Sequence, residues 1–230
     1  MALKYNVHNF VFSSSCTVYG EPKGLKEVSE STPKSEPNSP YGNTKFIGEQ
    51  ILSDVQKSNK DFKIINLRYF NPVGAHPSSL IGEFPIGKPN NLLPFVTQTA
   101  IGKQDSLLVF GNDYPTKDGT CIRDYIHVCD LAEAHVKAIH FLENKTGECI
   151  EAVNIGTGQG TSILEVIHLF EKIAGLKLNW QFADRRKGDV IEIYANAEKA
   201  NQLLNWKSQF TVADAINDAW NWEKKLVEHA

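Results

Sequence analysis

Short apolar runs and four-residue apolar spacings alternate along this chain of 230 residues, the pattern of strands feeding helices. Residues 9–13 (Asn-Phe-Val-Phe-Ser) predict a short buried strand that ends in small polar residues. Residues 14–38, rich in Ser, Pro, Glu and Lys, predict a loop. Ser39 then predicts a helix cap, with Pro40 at the first helical position where its missing N–H costs nothing. Ile47, Ile51 and Val55 repeat every four residues and predict an apolar helix face. Residues 62–70 (Phe-Lys-Ile-Ile-Asn-Leu-Arg-Tyr-Phe) predict the next strand. A strand, a helix and a strand of these lengths imply a right-handed βαβ unit of a parallel sheet.

Residues 71–90 form a long loop rich in Pro and Gly that contains His76, and a loop that long in a compact domain points to function. Residues 91–102 predict a helix, 107–110 a strand, 112–120 a polar turn region, 123–128 a strand and 130–142 a helix. Residues 151–155 predict a strand, followed by Gly156-Thr157-Gly158-Gln159-Gly160 and a helix to about Ala174. A strand at 178–182 and helices at 198–204 and 212–226 complete the pattern, with no internal repeat.

Composition narrows the function classes. A hydrophobic share of 41%, a charged share of 22% and a net charge of -3 describe an ordinary globular protein without the basic stripe of a nucleic-acid binder. Cys16, Cys121, Cys129 and Cys149 show no Cys-x-x-Cys spacing, so neither a zinc site nor a disulfide framework is expected, and a cytoplasmic, reducing setting fits. Residues 1–12 read as neither a signal peptide nor a membrane span.

The candidate chemistry lies in Ser39-Pro40-Tyr41-Gly42-Asn43-Thr44-Lys45, downstream of Phe12-Ser13-Ser14-Ser15. With seven Tyr and twenty Lys, chance alone supplies about 0.6 Tyr-x-x-x-Lys pairs. A second pair does occur, Tyr19 and Lys23, but Gly20-Glu21-Pro22 between them will not hold a helix. Tyr41 and Lys45 fall just inside a capped helix, on one face. An ammonium there is expected to lower the tyrosine pKa from ~10 toward neutrality, as a general base requires. The plain alternative is a surface tyrosine and a solvated lysine.

The ordered motifs add specificity. Phe-Ser-Ser-Ser-Cys-Thr-Val-Tyr-Gly, Ser-Pro-Tyr-Gly-Asn-Thr-Lys and Arg-Tyr-Phe-Asn-Pro-Val-Gly-Ala-His-Pro are followed by Pro89-Asn90-Asn91-Leu92, Phe110-Gly111-Asn112-Asp113-Tyr114-Pro115-Thr116, Asp118-Gly119-Thr120, Arg123-Asp124-Tyr125-Ile126-His127-Val128 and Arg185-Arg186-Lys187-Gly188-Asp189. Over essentially its whole length the chain resembles the extended branch of the short-chain dehydrogenase/reductase superfamily and, within it, the UDP-glucose (UDP-galactose) 4-epimerases. The resemblance implies an α/β fold: the C-terminal part of a Rossmann-type doubly wound parallel sheet over residues 1–72, and a smaller mixed α/β UDP-sugar-binding lobe over 73–230 that returns some strands to the sheet.

It also implies roles. Tyr41 takes the proton from the sugar 4-hydroxyl while NAD takes the hydride. Lys45 holds the nicotinamide ribose, Ser15 shares the proton path, and Phe70 lies against the cofactor or is a core aromatic at a strand end. With four arginines in the chain, each bears a question. Arg123 and Arg186 match diphosphate positions and Asp189 a nucleotide-ribose position. Asn71, Asn91, Leu92, Leu108, Phe110, Tyr125 and Ile163 match nucleotide- and sugar-lining places, although any core would bury Leu92, Leu108 and Ile163. Related 4,6-dehydratases carry an acid pair where this chain has Cys16-Thr17, which favours epimerisation. Ile193 matches the sugar-pocket gate, so UDP-galactose and UDP-glucose are the expected pair, with UDP-N-acetylhexosamines open.

The chain departs from the family pattern in one respect: no strand with Gly-x-x-Gly-x-x-Gly precedes Ser13. The glycines at 156–160 imitate it but read as a tight strand-to-helix turn. The expectation is a shortened chain lacking roughly the first third of an epimerase, weak in NAD binding and largely inactive alone: either the catalytic and substrate-binding part of an enzyme or a non-catalytic UDP-sugar-binding remnant, with another NAD-dependent nucleotide-sugar epimerase as the alternative. The family is usually a homodimer through two helices, of which one is complete here, so dimerisation of this chain is in question.

Overall fold

The computed structural model describes residues 1–22 and 24–228, so Lys23 of the second Tyr–Lys pair lies outside the described residues. Along the chain come β1 (Asn9–Ser15), β2 (Glu27–Val28), α1 (Pro40–Ser58), β3 (Lys63–Tyr69), β4 (Asn71–Val73), α2 (Leu92–Ala100) and β5 (Leu107–Phe110). Then follow β6 (Ile122–Arg123), β7 (Tyr125–His127), α3 (Val128–Asn144), β8 (Ile150–Ile155), β9 (Thr161–Ser162) and α4 (Ile163–Ala174). The last elements are β10 (Trp180–Ala183), β11 (Glu192–Ala195), α5 (Glu198–Leu204) and α6 (Val212–Glu228).

Two compact units share these elements. The first comprises Met1–Phe70, Leu131–Gln159 and Ile193–Lys207, and the second Asn71–Asp130, Gly160–Glu192 and Ser208–Ala230. In the first, β1, β3 and β8 form a parallel sheet in the order β1-β3-β8, with Ser15 opposite Tyr69 and Tyr69 opposite Ile155. The expected βαβ unit is therefore present. Ile64, Ile65 and Leu67 of the central strand β3 are fully buried, as a strand covered on both faces requires. Successive β1 residues show that double cover. Ser13 Oγ lies 3.4 Å from His135 Nε2 on α3, and Ser14 Oγ donates to Glu49 Oε1 on α1 at 2.6 Å. Pairing of Tyr194 and Ala195 with Glu27 and Val28 adds a short parallel ladder in this unit.

Three short strand pairs make up the second unit: β4 with β7 and β5 with β10, both parallel, and β6 with β9, antiparallel. Its core gathers Leu93, Val96, Leu107, Val109, Phe170, Ile216 and Trp220, with Phe170 and Trp220 edge-to-face at 5.4 Å.

The structure corrects several sequence expectations. Residues 14–38 are not all loop: β1 runs through Ser15, a 3-10 turn covers Cys16–Tyr19, and β2 follows. The single strand expected at 123–128 divides into β6 and β7, and α3 already begins at Val128. The Ser39 cap holds, with its hydroxyl accepting from the Gly42 N–H at 3.1 Å. The apolar face of α1 does not: Ile47 and Ile51 are exposed, and the buried positions are Gly42, Glu49 and Gln56. The sheet surface beneath α1 offers Ser14 and Arg68, whose polar groups need polar partners, so the helix turns its carboxylate inward.

Candidate functional site

Tyr41 stands in the first turn of α1, 53% exposed, at the end of the sheet where Ser15 closes β1 and Tyr69 closes β3. Ser15 is buried and its Oγ accepts from the Thr17 N–H at 3.2 Å, which caps the 3-10 turn. Partial burial pushes the Tyr41 phenol above its ordinary value; Tyr69 and Cys16 add to the rise, and the Ser15 hydroxyl opposes it through a hydrogen bond. The expectation of a phenol lowered by Lys45 is therefore not met. The Lys45 ammonium sits over the ring faces instead, 5.4 Å from the Tyr41 centroid and 5.5 Å from that of Phe12. A cation in that position is attracted by the negative face of the ring quadrupole. Phe70 is buried at the end of β3, its N–H donating to Ile155 O at 3.1 Å, a core aromatic in this arrangement.

Behind these groups lies a polar network that the sequence reading did not single out. Glu49 Oε1 accepts from Ser14 Oγ (2.6 Å) and Arg68 Nε (2.9 Å), and Oε2 accepts from Arg68 Nη2 (2.7 Å) and Lys34 Nζ (3.2 Å). Arg68 Nη1 also donates to the Tyr19 hydroxyl at 3.1 Å, and that hydroxyl donates to Asn154 Oδ1 at 2.6 Å. Burial pushes the Glu49 carboxyl up, but Arg68, Ser14 and Lys34 outweigh it and hold the group below the usual carboxylate range. Burial likewise drives Tyr19 up to about 12, against the pull of Arg68. One signal was available: Arg68 is a charged residue inside the apolar run of β3.

The second unit brings together another predicted group. Asp189 takes Arg186 as a forked partner, Nη2 to Oδ1 at 2.7 Å and Nε to both oxygens at 3.2 Å, and Arg123 Nη2 lies 3.8 Å from Oδ1. Arg186 also lies over the Phe110 ring at 5.7 Å, and its own charge is reinforced mainly by Asp189. Leu108 and Phe110 share the exposed face of β5, while Leu107 and Val109 enter the core, so Leu108 is not core. Leu92 and Ile163 do pack against the core cluster, and Tyr125 belongs to it. Burial raises the Tyr125 phenol, with Arg123 opposing. Asn71 pairs in register with Tyr125 and its N–H donates to Asp124 O at 3.0 Å. Asn91 caps α2 by backbone only and sends its Nδ2 to Glu83 Oε1 at 2.7 Å. Ile193, in the first unit, is buried in β11.

Arg185, which the sequence reading left without a role, stacks on Tyr114 at 4.2 Å and donates to Asp113 Oδ1 at 2.6 Å. The glycines at 156–160 lead into α4, whose first amides are already taken. Ser162 Oγ accepts from the Glu165 N–H, and Glu165 Oε2 accepts from the Ser162 N–H. A helix end capped in this way is a strand-to-helix turn, not an open phosphate nest. Among the described residues no group of three or more His, Cys, Asp or Glu could hold a metal ion, and no helix is long and apolar enough to cross a membrane.

Residues 1–156 match the NAD dependent epimerase/dehydratase family. The chain is 50% identical to UDP-glucose 4-epimerase of Drosophila melanogaster, covering 96% of this chain and 63% of that protein. It is 50% identical to UDP-glucose 4-epimerase of Bacillus subtilis, covering 97% of this chain and 65% of that one. It therefore spans just under two thirds of the length of these curated relatives. Among solved structures, UDP-glucose-4-epimerase from Stenotrophomonas maltophila, with bound NAD and formylated UDP-arabinopyranose, superposes with a TM-score of 0.94 at 43% identity, over 100% of this chain and 67% of that one. The Bifidobacterium longum enzyme in complex with NAD+ and UDP gives 0.92 at 46% identity, over 97% and 66%. With its parallel sheet of Rossmann type and a family match over more than half its length, the chain belongs to the NAD dependent epimerase/dehydratase family.

Proposed function

We propose that this chain acts on UDP-galactose and UDP-glucose, interconverting them at sugar C4 with Tyr41 as the acid and base. The carrying observation is Tyr41 in the first turn of α1 beside Ser15, with Lys45 one turn on. Relatives at about half identity named UDP-glucose 4-epimerase support the same reading.

NAD fits the residues present. Among the described residues no carboxylate pairs with the Lys45 ammonium, which leaves its N–H donors for a ribose, and the half-exposed phenol of Tyr41 is open to a sugar hydroxyl. The cofactor would supply the acceptor for the C4 hydride and return it to the other face of the sugar. Tyr41 would take the 4-hydroxyl proton, with Ser15 hydrogen-bonded to it, and give the proton back. Arg123 and Arg186 would hold the diphosphate as forked donors and Asp189 the nucleotide ribose. Asn71, Asn91, Leu92, Leu108, Phe110, Tyr125 and Ile163 would line the nucleotide and sugar. Ile193 would gate the sugar, with intermediate bulk for N-acetylhexosamines. A cytoplasmic place goes with this reading, because the buried thiols of Cys16, Cys121 and Cys149 stay reduced there.

The test is conversion of UDP-galactose to UDP-glucose by the purified chain supplied with NAD. Tyr41→Phe should reduce turnover by about 10²–10⁴-fold, the usual worth of a positioned proton-transfer group, and should leave UDP binding intact. Turnover that survives Tyr41→Phe, or a wild-type chain that binds UDP and converts nothing, overturns the proposal.

A further inference from the structure

Glu49 is a carboxylate, 4% exposed, for which the proposed reaction has no task. It lies on α1 one turn beyond Lys45 and two beyond Tyr41. Its four hydrogen bonds reach two strands: Ser14 on β1 and Arg68, twice, on β3, with Lys34 as the fourth donor. Ser14 immediately precedes Ser15, and Arg68 immediately precedes Tyr69. Ser15 and Tyr69 are register partners, and both act on the Tyr41 phenol, alongside Cys16, which follows Ser15 in the chain. The carboxylate therefore grips, on each strand, the neighbour of a strand-end residue that acts on the Tyr41 phenol.

Among the buried positions of α1, Glu49 carries the charge. Beside Glu49, the buried positions of α1 are Gly42 and Gln56, and Gly48 meets the Phe12 ring with no side chain of its own. Gly42 and Gly48 bring no side-chain polar group to the seam, and Gln56 lies two turns further along, whereas a carboxylate with four hydrogen bonds fixes both the rotation and the height of the helix. An error of 1 Å in a reacting group is enough to cost about 10²-fold in rate.

We infer that Glu49 is a positioning residue that sets the contact between Ser15 and Tyr41 by clamping α1 to β1 through Ser14 and to β3 through Arg68. The inference rests on the reading of Ser15 and Tyr41 as the proton-transfer pair, but its test does not need turnover.

The experiment follows the titration of Tyr41 by NMR in full-length chain labelled at the tyrosine ring carbon, with Tyr41→Phe to assign the signal. In the wild type, Ser15→Ala should raise the Tyr41 pKa, because it removes the hydrogen bond that opposes the rise. In a Glu49→Gln background the same substitution should produce no further rise, because the contact is already lost. Ser14→Ala, which keeps the Arg68–Glu49 pair, should shrink the Ser15 increment and decides the matter if Glu49→Gln does not fold. A Glu49 with a purely structural role would lower the melting temperature and leave the Ser15 increment unchanged in both backgrounds, which overturns the inference. Absence of any Ser15 increment in the wild type overturns it as well. A chain that shows the increment and its loss, yet converts no UDP-galactose, keeps the clamp and loses the epimerase reading.

Discussion

Replacing Arg68 by Met puts a number on the buried network. Arg68 is 5% exposed and Glu49 4%, so the change leaves a carboxylate out of water with Ser14 and Lys34 as its remaining donors. Removing one partner of a buried pair costs about 3–5 kcal/mol, mostly because the other charge stays behind. For a chain of this size, at about 2–4 °C per kcal/mol, the melting temperature should fall by about 6–20 °C. The double variant Glu49→Leu with Arg68→Met removes both charges. It should recover most of that loss, since apolar replacement of a whole buried pair is often close to neutral.

The sign of the pH dependence separates this account from simple loss of packing. Glu49 is held below its ordinary value of 4.5 in the folded wild type. Its contribution is therefore complete above the unfolded pKa and lost as pH falls through the folded one. In Arg68→Met, burial loses its main opponent and the folded pKa of Glu49 rises. Protonation then favours the folded state, so the gap between wild type and variant should narrow as pH drops from 7 to 4. Urea titrations followed by near-ultraviolet circular dichroism at several pH values measure the gap. A gap that widens toward pH 4, or a double variant as unstable as the two single losses together, refutes the reasoning.

Three further outcomes are expected. Gly48→Ala gains about 1 kcal/mol of helix propensity, but its new methyl would lie 2.6 Å from Phe12 Cζ. Overpacking at about 1–3 kcal/mol should prevail, and a higher urea midpoint would contradict that. Gly119→Ala places a methyl 2.2 Å from the Asn112 carbonyl oxygen at a φ of +80°, so stability should fall by at least about 1–3 kcal/mol; an unchanged melting temperature would show that the turn relaxes. Arg186, 59% exposed, should cost little stability when changed to Ala. Its loss should weaken UDP binding about tenfold or more and flatten the salt dependence, by calorimetry at two ionic strengths, and an unaltered affinity would remove it from the nucleotide site.

Long, strongly patterned elements were legible in the sequence. The strand at β5, the cap of α1 and the parallel pairing of β1 with β3 follow from local signals, whereas the exposed face of β5 does not, because Leu-Leu-Val-Phe is apolar throughout. Two- and three-residue strands such as β2, β6 and β9 were not, because their existence depends on a partner distant in sequence rather than on their own period. In the second unit the motif residues Phe110, Arg123, Arg186 and Asp189 do converge. Arg185 carried no motif role, and its stack on Tyr114 became visible only with the fold. Tyr41 shows a different limit. Spacing alone puts Lys45 on its face of the helix, but it cannot say whether the ammonium meets the ring or the oxygen, nor that partial burial raises the phenol.

The face of α1 was the substantive misreading, and its cause is physical. Ile47, Ile51 and Val55 satisfy the period of a buried stripe, yet periodicity states only that a stripe exists, not that the core lies beneath it. The sheet surface under α1 carries Phe12, Ser14 and Arg68, two of them polar. Burying isoleucines there would orphan a guanidinium and a hydroxyl, a loss larger than the gain of about 1.5–3 kcal/mol from one aliphatic side chain. Turning Glu49 inward satisfies both groups at once and leaves the isoleucines to solvent. The signal was therefore the arginine in β3 rather than anything in the helix: a buried strand that carries a charge predicts an acidic residue on whatever packs against it, and Glu49 is the acid on α1 within reach.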